Sequence, residues 1–405
     1  MNMNTGTNSS DSDSDISITD SEDEEIENSD SKVDTAEGGL SAISSGNTAE
    51  GHDDAEDEDD LIKAIRHEKE KPRDQPPDIL CEDFVVDISF HPSENIIAAA
   101  TITGDVILHS YTNESTEIKE TLELHTRACR DIEFNEDGDL LFSSSKDKCI
   151  MVTDTRTGKL KRMFNDAHEN PLNCLCVMDN NIFASGDDSG TVKLWDMRKK
   201  DPIFSRKEMD DYVSKMVTTE AKRYLVCSSG EGTITSINLV SHKLHMQSEM
   251  YDAELTSLCL MRSDSKLLVG SSKGTMFLFN WGQFGYHSDE FPGVKQSINS
   301  MIPITENIVV TACEDGVLRA THLFPQRHLG VAGQHQFSVE CLDISGDGTF
   351  IASSSHDQLI KFWNIRYFEE MNINSRVKSK KREEMKRNLP SSKFQDCSAF
   401  FSELA

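Results

Sequence analysis

Three consecutive residues, Ser355-His356-Asp357, carry the side chains of a nucleophile, a base and an orienting acid. Neighbouring positions on a strand and turn cannot set those groups in line, because a triad needs two aligned side-chain hydrogen bonds. The run is read as a turn. A second candidate starts at Asp11, with carboxylates at positions 1, 3 and 5 of a calcium-loop template and Glu22 at position 12. Position 6 is Ile16, where that loop requires Gly, so this run is read as a solvated acidic tail. Ten cysteines are scattered without CxxC pairs, and Cys174 and Cys176 lie on one side of a strand-like run. They read as small buried hydrophobes, with no zinc-type spacing among them. No Gly-rich phosphate loop, HExxH or paired-carboxylate motif is found. The residues predict no enzyme, no cofactor and no metal.

Charge divides the chain of 405 residues, whose formal net charge is −30. Residues 1–60 hold 20 Asp and Glu against one Lys, and residues 61–73 carry a net +3. Too few apolar side chains are present in 1–73 to offset ordering entropy, so this is expected to be a disordered acidic tail with a short charged linker. Ser12, Ser14, Thr19 and Ser21 precede acidic residues and would suit an acidophilic kinase. Residues 74–370 hold 27 basic and 45 acidic side chains, and residues 371–405 carry +4. The excess negative charge argues against nucleic-acid binding by the central region. No apolar run approaches the roughly 20 residues that span a bilayer, so no membrane role is expected. With no signal-peptide pattern, an intracellular, reducing compartment is expected.

The elements come from a repeat. Seven turn-strand segments end on His109, Thr153, Trp195, Ile237, Phe279, Thr321 and Trp363, at intervals of 44, 42, 42, 42, 42 and 42 residues. Upstream of each lies an alternating strand: VVDISF, CRDIEF, LNCLCV, VSKMVT, LTSLCL, INSMIP and VECLDI. A third strand sits between, as in NIFASG (181–186) and FIASSS (350–355). A period near 42 with several strands per repeat predicts an all-β, seven-bladed β-propeller over residues 74–370. Ring closure needs an outermost strand on the last blade, and QPPDILC (75–81) is the candidate, its prolines compatible with an edge position. Residues after Trp363 are the alternative.

Strand endings such as GTVKLWD with an upstream His resemble WD repeats. In that family a His, a Ser or Thr, an Asp and the Trp form a hydrogen-bonded chain within a blade. The resemblance gives blade seven all four, as His335, Ser353, Asp357 and Trp363. In blade two Thr153 replaces Trp beside His125, Ser143 and Asp147. In blade three Ser189 stands at the Asp position beside His168, Ser185 and Trp195, and Tyr251 and Val294 take the His position elsewhere. Blade seven alone is then expected to hold the full chain and to be the most stable, and Asp196 to cap a turn.

More specific stretches are CRDIEFNEDG (129–138), SKDKCIMVTD (145–154), FASGDDSGTVKLWDMR (183–198), NWGQFGYHSDEFPG (280–293) and NLPSSK (388–393). They resemble the WD repeat-containing protein 55 family in its insect form. That resemblance implies a scaffold of the nucleus and nucleolus, with the cytoplasm as a further compartment, serving ribosomal RNA synthesis and processing. Its expected partners are pre-ribosome assembly factors, and the chain is expected to be a monomer within a complex. Trp195-Asp196-Met197-Arg198 also matches the WDxR motif of propellers that dock to a cullin-type ubiquitin ligase adaptor, with Arg156 and Arg366 in variant copies. A substrate-receptor role is the alternative. In the C-terminal tail, Arg376, Lys378, Lys380, Lys381, Arg382, Lys386 and Arg387 form a candidate localisation signal. Residues 394–404 space Phe394, Cys397, Phe400, Phe401 and Leu404 as a short amphipathic helix, expected to dock on the propeller or on a partner.

Overall fold

β-Branched and aromatic residues alternate with polar ones through most of the central sequence, the pattern of strands packed on a pleated surface. The computed structural model describes residues 74–370. The acidic tail, the basic segment 376–387 and the helix expected over 394–404 lie outside these residues.

Seven antiparallel four-stranded sheets make seven blades. Blade one is Val85–Phe90, Ile96–Thr101, Asp105–Tyr111 and Thr116–Glu123; blade two is Cys129–Phe134, Leu140–Ser145, Ile150–Asp154 and Lys159–Phe164. Blade three is Leu172–Val177, Ile182–Asp187, Thr191–Asp196 and Phe204–Lys207; blade four is Val213–Thr218, Tyr224–Ser229, Ile234–Asn238 and Lys243–Gln247. Blade five is Leu255–Met261, Lys266–Ser271, Thr275–Asn280 and Asp289–Pro292; blade six is Ile298–Pro303, Ile308–Cys313, Val317–Leu323 and Gln326–Gln334. Blade seven is Val339–Ile344, Phe350–Ser355 and Leu359–Asn364, completed by Ile79–Leu80 from the other end of the chain. The first strand of every blade neighbours the first strands of the blades on either side, so these seven strands surround the axis.

Turns between second and third strands demand a left-handed residue. Gly190 has φ +82, and a Cβ there would lie 2.2 Å from the Met209 carbonyl oxygen. Blades two and seven make the same turn with Lys148 at φ 71 and Gln358 at φ 60.

The core is divided. Each of seven apolar clusters draws from two adjacent blades, so burial glues neighbours together rather than filling one centre. The seam between blades seven and one is typical, with Ile79, Ile88, Phe90, Ile360 and Phe362 buried together. It is also where the ring closes. Ile79 pairs with Ile360 and Leu80 with Leu359. The Cys81 N–H donates to the Gln358 carbonyl at 2.9 Å, and Asn364 Nδ2 donates to the Asp74 carbonyl at 3.1 Å.

Ile79 is 4% exposed and Leu80 75% exposed. Ile79→Asp should therefore lower stability by about 3 kcal/mol, through lost burial and a buried carboxylate. Leu80→Asp should stay within about 0.5 kcal/mol. Urea titration of both variants checks this; equal effects would dismiss Ile79 as the clasp.

Candidate functional site

Two sets of side chains span this framework: hydrogen-bonded chains inside blades, and a ring of polar groups around the axis.

In blade seven the Trp363 indole N–H donates to Ser353 Oγ at 2.8 Å, Ser353 Oγ lies 2.7 Å from His335 Nε2, and His335 Nδ1 lies 2.9 Å from Asp357 Oδ2. With Asp357 ionised, Nδ1 carries the imidazole proton and the serine hydroxyl donates to Nε2. Burial pushes His335 below the usual imidazole range, which keeps the ring neutral. Gly333 permits this packing, because a Cβ there would strike the indole at 2.5 Å.

Blade three corrects the sequence reading. Its fourth member is Asp187, not absent, and Ser189 does not stand in for it. His168 Nδ1 lies 3.0 Å from Asp187 Oδ2, His168 Nε2 lies 2.7 Å from Ser185 Oγ, and the Trp195 indole N–H donates to the same oxygen at 2.8 Å. The loop register explains the change. Ala167 N–H, rather than that of His168, donates to the Lys148 carbonyl, so the His falls one residue late. Asp187, two residues beyond Ser185 and on the same strand face, then meets it. Burial works against the ionised Asp187, but bonds from His168, Thr191 and Ser189 outweigh it and hold the carboxyl at about 2. Blade seven is therefore not alone in holding the full chain.

Blade two keeps the first three members, with His125 Nδ1 3.1 Å from Asp147 Oδ2 and Nε2 2.9 Å from Ser143 Oγ. Thr153 cannot reach across, and its hydroxyl is buried without a partner. In blade five Tyr251 sits in the His place, its N–H on the Gly232 carbonyl. Its ring lies 4.4 Å from that of Phe277, and its hydroxyl is 2.8 Å from His287 Nδ1.

Ser355, His356 and Asp357 point to three separate partners: the Phe337 carbonyl at 3.1 Å, Glu340 Oε1 at 2.8 Å and His335. They form no relay. Eight of the nine described cysteines are buried, and burial raises their thiols, Cys81 to about 11 and Cys259 to about 12. All nine are free thiols.

The three arginines of the WDxR pattern follow third strands in blades two, three and seven, which places them on one face of the disc. All share a turn in which the Arg N–H donates to the side chain two residues earlier: Asp154 at 3.1 Å, Asp196 at 3.0 Å and Asn364 at 3.1 Å. Val240 makes the same bond to Asn238 at 2.9 Å, so the turn is indifferent to arginine. Arg198 additionally grips Asp196 through Nε at 2.8 Å and a terminal NH at 2.9 Å. That grip holds the Asp196 carboxyl at about 2. Asp196 is 3% exposed and Arg198 69%. Arg156 pairs with Asp139 at 2.6 Å. Arg366 borders a groove of about 600 Å³ with Asp74 and Asp347.

Around the axis, sequence reasoning missed a recurring feature. Every first strand shifts register between its first and third residues, which leaves its second residue as a bulge. Five of these bulged residues donate to a backbone carbonyl of the next blade: Arg130 to Leu172, Asn173 to Val213, Ser214 to Leu255, Thr256 to Ile298 and Asn299 to Val339. Val86 and Glu340 cannot donate. At those seams a carboxylate accepts from the next strand instead, Asp87 from Ile132 N–H at 3.0 Å and Asp343 from Phe90 N–H at 2.6 Å. Asp131 and Glu133 add bonds to Leu175 N–H at 2.6 Å and Val177 N–H at 2.7 Å.

These acids gather on one side of an axial cavity of about 330 Å³, where Lys215 reaches Asp131 Oδ1 at 3.2 Å. Burial raises Asp343 to about 6 and Glu133 to about 8, and lifts Asp87 as well. Burial opposes the Lys215 ammonium, but Asp131 and Asp87 outweigh it and raise its pKa. Each of the four acids is already spent on a backbone N–H, which makes the set a structural cluster. Among the described residues no group of three His, Cys, Asp or Glu side chains is placed to hold a metal ion.

A family model for WDR55 matches residues 76–368. The chain is 52% identical over 354 residues to the WD repeat-containing protein 55 homolog of Aedes aegypti, covering 87% of this chain and 76% of that protein. It is 48% identical over 353 residues to the homolog of Drosophila melanogaster, covering 87% and 71%, and 49% identical over 354 residues to that of Drosophila ananassae, covering 87% and 74%.

Two outcomes follow from the geometry. Asp187→Ala should cost about 2–4 kcal/mol, since it strips the buried His168 of its partner, whereas Ser189→Ala should cost no more than about 1 kcal/mol; thermal melts rank the two, and the reverse order would return Ser189 to the chain. Glu133 has a folded pKa of about 8 against roughly 4.3 unfolded, so its protonated form stabilises the fold at low pH and that contribution is lost as pH rises toward 8. Glu133→Gln keeps the acceptor and removes the titration. Its melting temperature relative to wild type should rise by about 2 °C or more between pH 5 and pH 8, and a constant difference would remove Glu133 from the linkage.

Proposed function

The chain belongs to the WDR55 family of WD-repeat propellers, a family of protein-interaction scaffolds, and on that premise we propose that it serves ribosomal RNA synthesis and processing in the nucleus and nucleolus. The observation that carries the reading is the match over residues 76–368, the whole propeller, to that family. Physical features agree with a passive platform. A rigid ring presents loops on two faces, and the acids around its axis are committed to holding the blades together. Partners are then proteins of the pre-ribosome, held by loops and rim.

The segment 376–387, with seven basic and two acidic residues, supplies the address. Arg198 keeps its bond to Asp196 and serves the blade in this reading.

Depletion should lower precursor ribosomal RNA, measured by pulse labelling, and a chain ending at residue 370 should fail to restore it while losing its nucleolar concentration. Normal precursor levels after depletion would overturn the reading. Full rescue by the shortened chain would overturn the role of the basic segment.

A further inference from the structure

The disc is acidic as a whole, yet one sector of its rim is basic. Residues 156–207 hold 10 of the 27 Lys and Arg of residues 74–370 but only seven of the 45 Asp and Glu. The outermost strand of blade two reads KLKRMF and that of blade three FSRK, whereas those of blades one and five read TEIKETLE and DEFP. Between blades two and three runs a groove of about 440 Å³ bordered by three cations, Arg162, Lys193 and Lys200, against two carboxylates, Asp166 and Asp201.

Two of these cations are held in place. Arg162 donates to the Lys199 carbonyl at 2.8 Å and lies 5.2 Å from the centroid of Phe164. Lys193 Nζ donates to the Ala167 carbonyl at 2.8 Å and lies 5.9 Å from the centroid of Trp195. Among the described residues, Lys159, Lys161, Arg162, Lys193, Lys200 and Lys207 enter no ion pair. Unpaired positive charge concentrated on an acidic body attracts an anionic partner. Lysines on an outermost strand also discourage edge-to-edge aggregation. That role does not extend to Lys193 and Lys200, which sit on a third strand and in the loop after it.

The kind of anion follows from what lies between the charges. Leu160 and Met163 are 48% and 40% exposed on the same strand as Lys159 and Lys161. The groove's two aromatic rings, Phe164 and Trp195, are buried at 5% and 4%, which leaves no open ring for a base to stack on. Lys159–Phe164 is the last strand of its sheet, so its outer backbone edge has no strand partner.

We propose that the rim of blades two and three docks an extended acidic peptide from a partner protein, one that alternates carboxylates with apolar side chains. The peptide adds to the free edge of Lys159–Phe164, its carboxylates meeting the lysines and its apolar residues covering Leu160 and Met163. This stands whether or not the chain acts on ribosomal RNA.

The test is fluorescence anisotropy with the full chain and three labelled probes: a peptide alternating Glu with Leu, polyglutamate of equal length, and oligouridine. The alternating peptide should bind most tightly and weaken as salt rises. Lys161→Glu combined with Lys200→Glu should weaken it at least about tenfold. Leu160→Ser should weaken the alternating peptide several-fold and leave polyglutamate unchanged. Lys273→Glu, on blade five, should change nothing. All four substitutions lie on the surface, and matching thermal melts verify folding. Tightest binding of oligouridine, no binding of the alternating peptide, or an affinity indifferent to the paired reversal would overturn the proposal.

Discussion

A strand at the inner edge of a sheet has a partner on one side only, and its other row of N–H and C=O groups faces the axis. Leaving such groups unpaired in a narrow channel is costly. Seven blades create seven such edges, and each is met by a side chain from the blade before it. Donors from the bulged residues reach carbonyls at five seams, and the acids reach N–H groups at the seams from blade seven to one and from one to two. At the five donor seams the bulge makes this possible, since it turns the second residue of the first strand out of the ladder and toward its neighbour. The acidic lining of the channel is a by-product of that satisfaction.

Around this inner ring the apolar core is cut into seven slices, each shared by two blades. The Trp chains belong to this layer. Trp195 lies in the slice between blades two and three, and Trp363 in the slice between six and seven. Each ties the middle of its blade to the loop entering that blade through Ser and His. Blade five reaches the same end with the Tyr251–Phe277 contact. Aromatic packing can replace the polar chain because neither then leaves a buried donor unmet. Blade two is the incomplete case, with the Thr153 hydroxyl unpartnered beside an intact His125–Ser143 bond.

Repetition made the fold readable. Alternation identifies single strands weakly, but an interval of 42 residues held five times fixes their number and order, and the prolines of residues 75–81 point to an edge strand. The site was readable only where spacing was regular. Asp357 stands four residues after Ser353, and Asp187 stands two after Ser185, so a fixed template passes over Asp187 although strand geometry sets it on the correct side. The inner ring escaped for another reason. Arg130, Asn173, Ser214, Thr256 and Asn299 share only the ability to donate a hydrogen bond, and a bulge has no composition of its own. The basic rim was hidden by averaging, since a net −18 over residues 74–370 conceals a sector of opposite sign.

The two-residue pairing of Ile79 and Leu80 with the last blade has a consequence for how the molecule is made. During synthesis those residues leave the ribosome among the first of the described region, and their partners Ile360 and Leu359 among the last. Blades one to six can form in turn as they emerge, but the annulus stays an open arc until translation nears its end. Throughout that interval the flanks of blades one and six lack the neighbour that buries their apolar side chains in the closed ring.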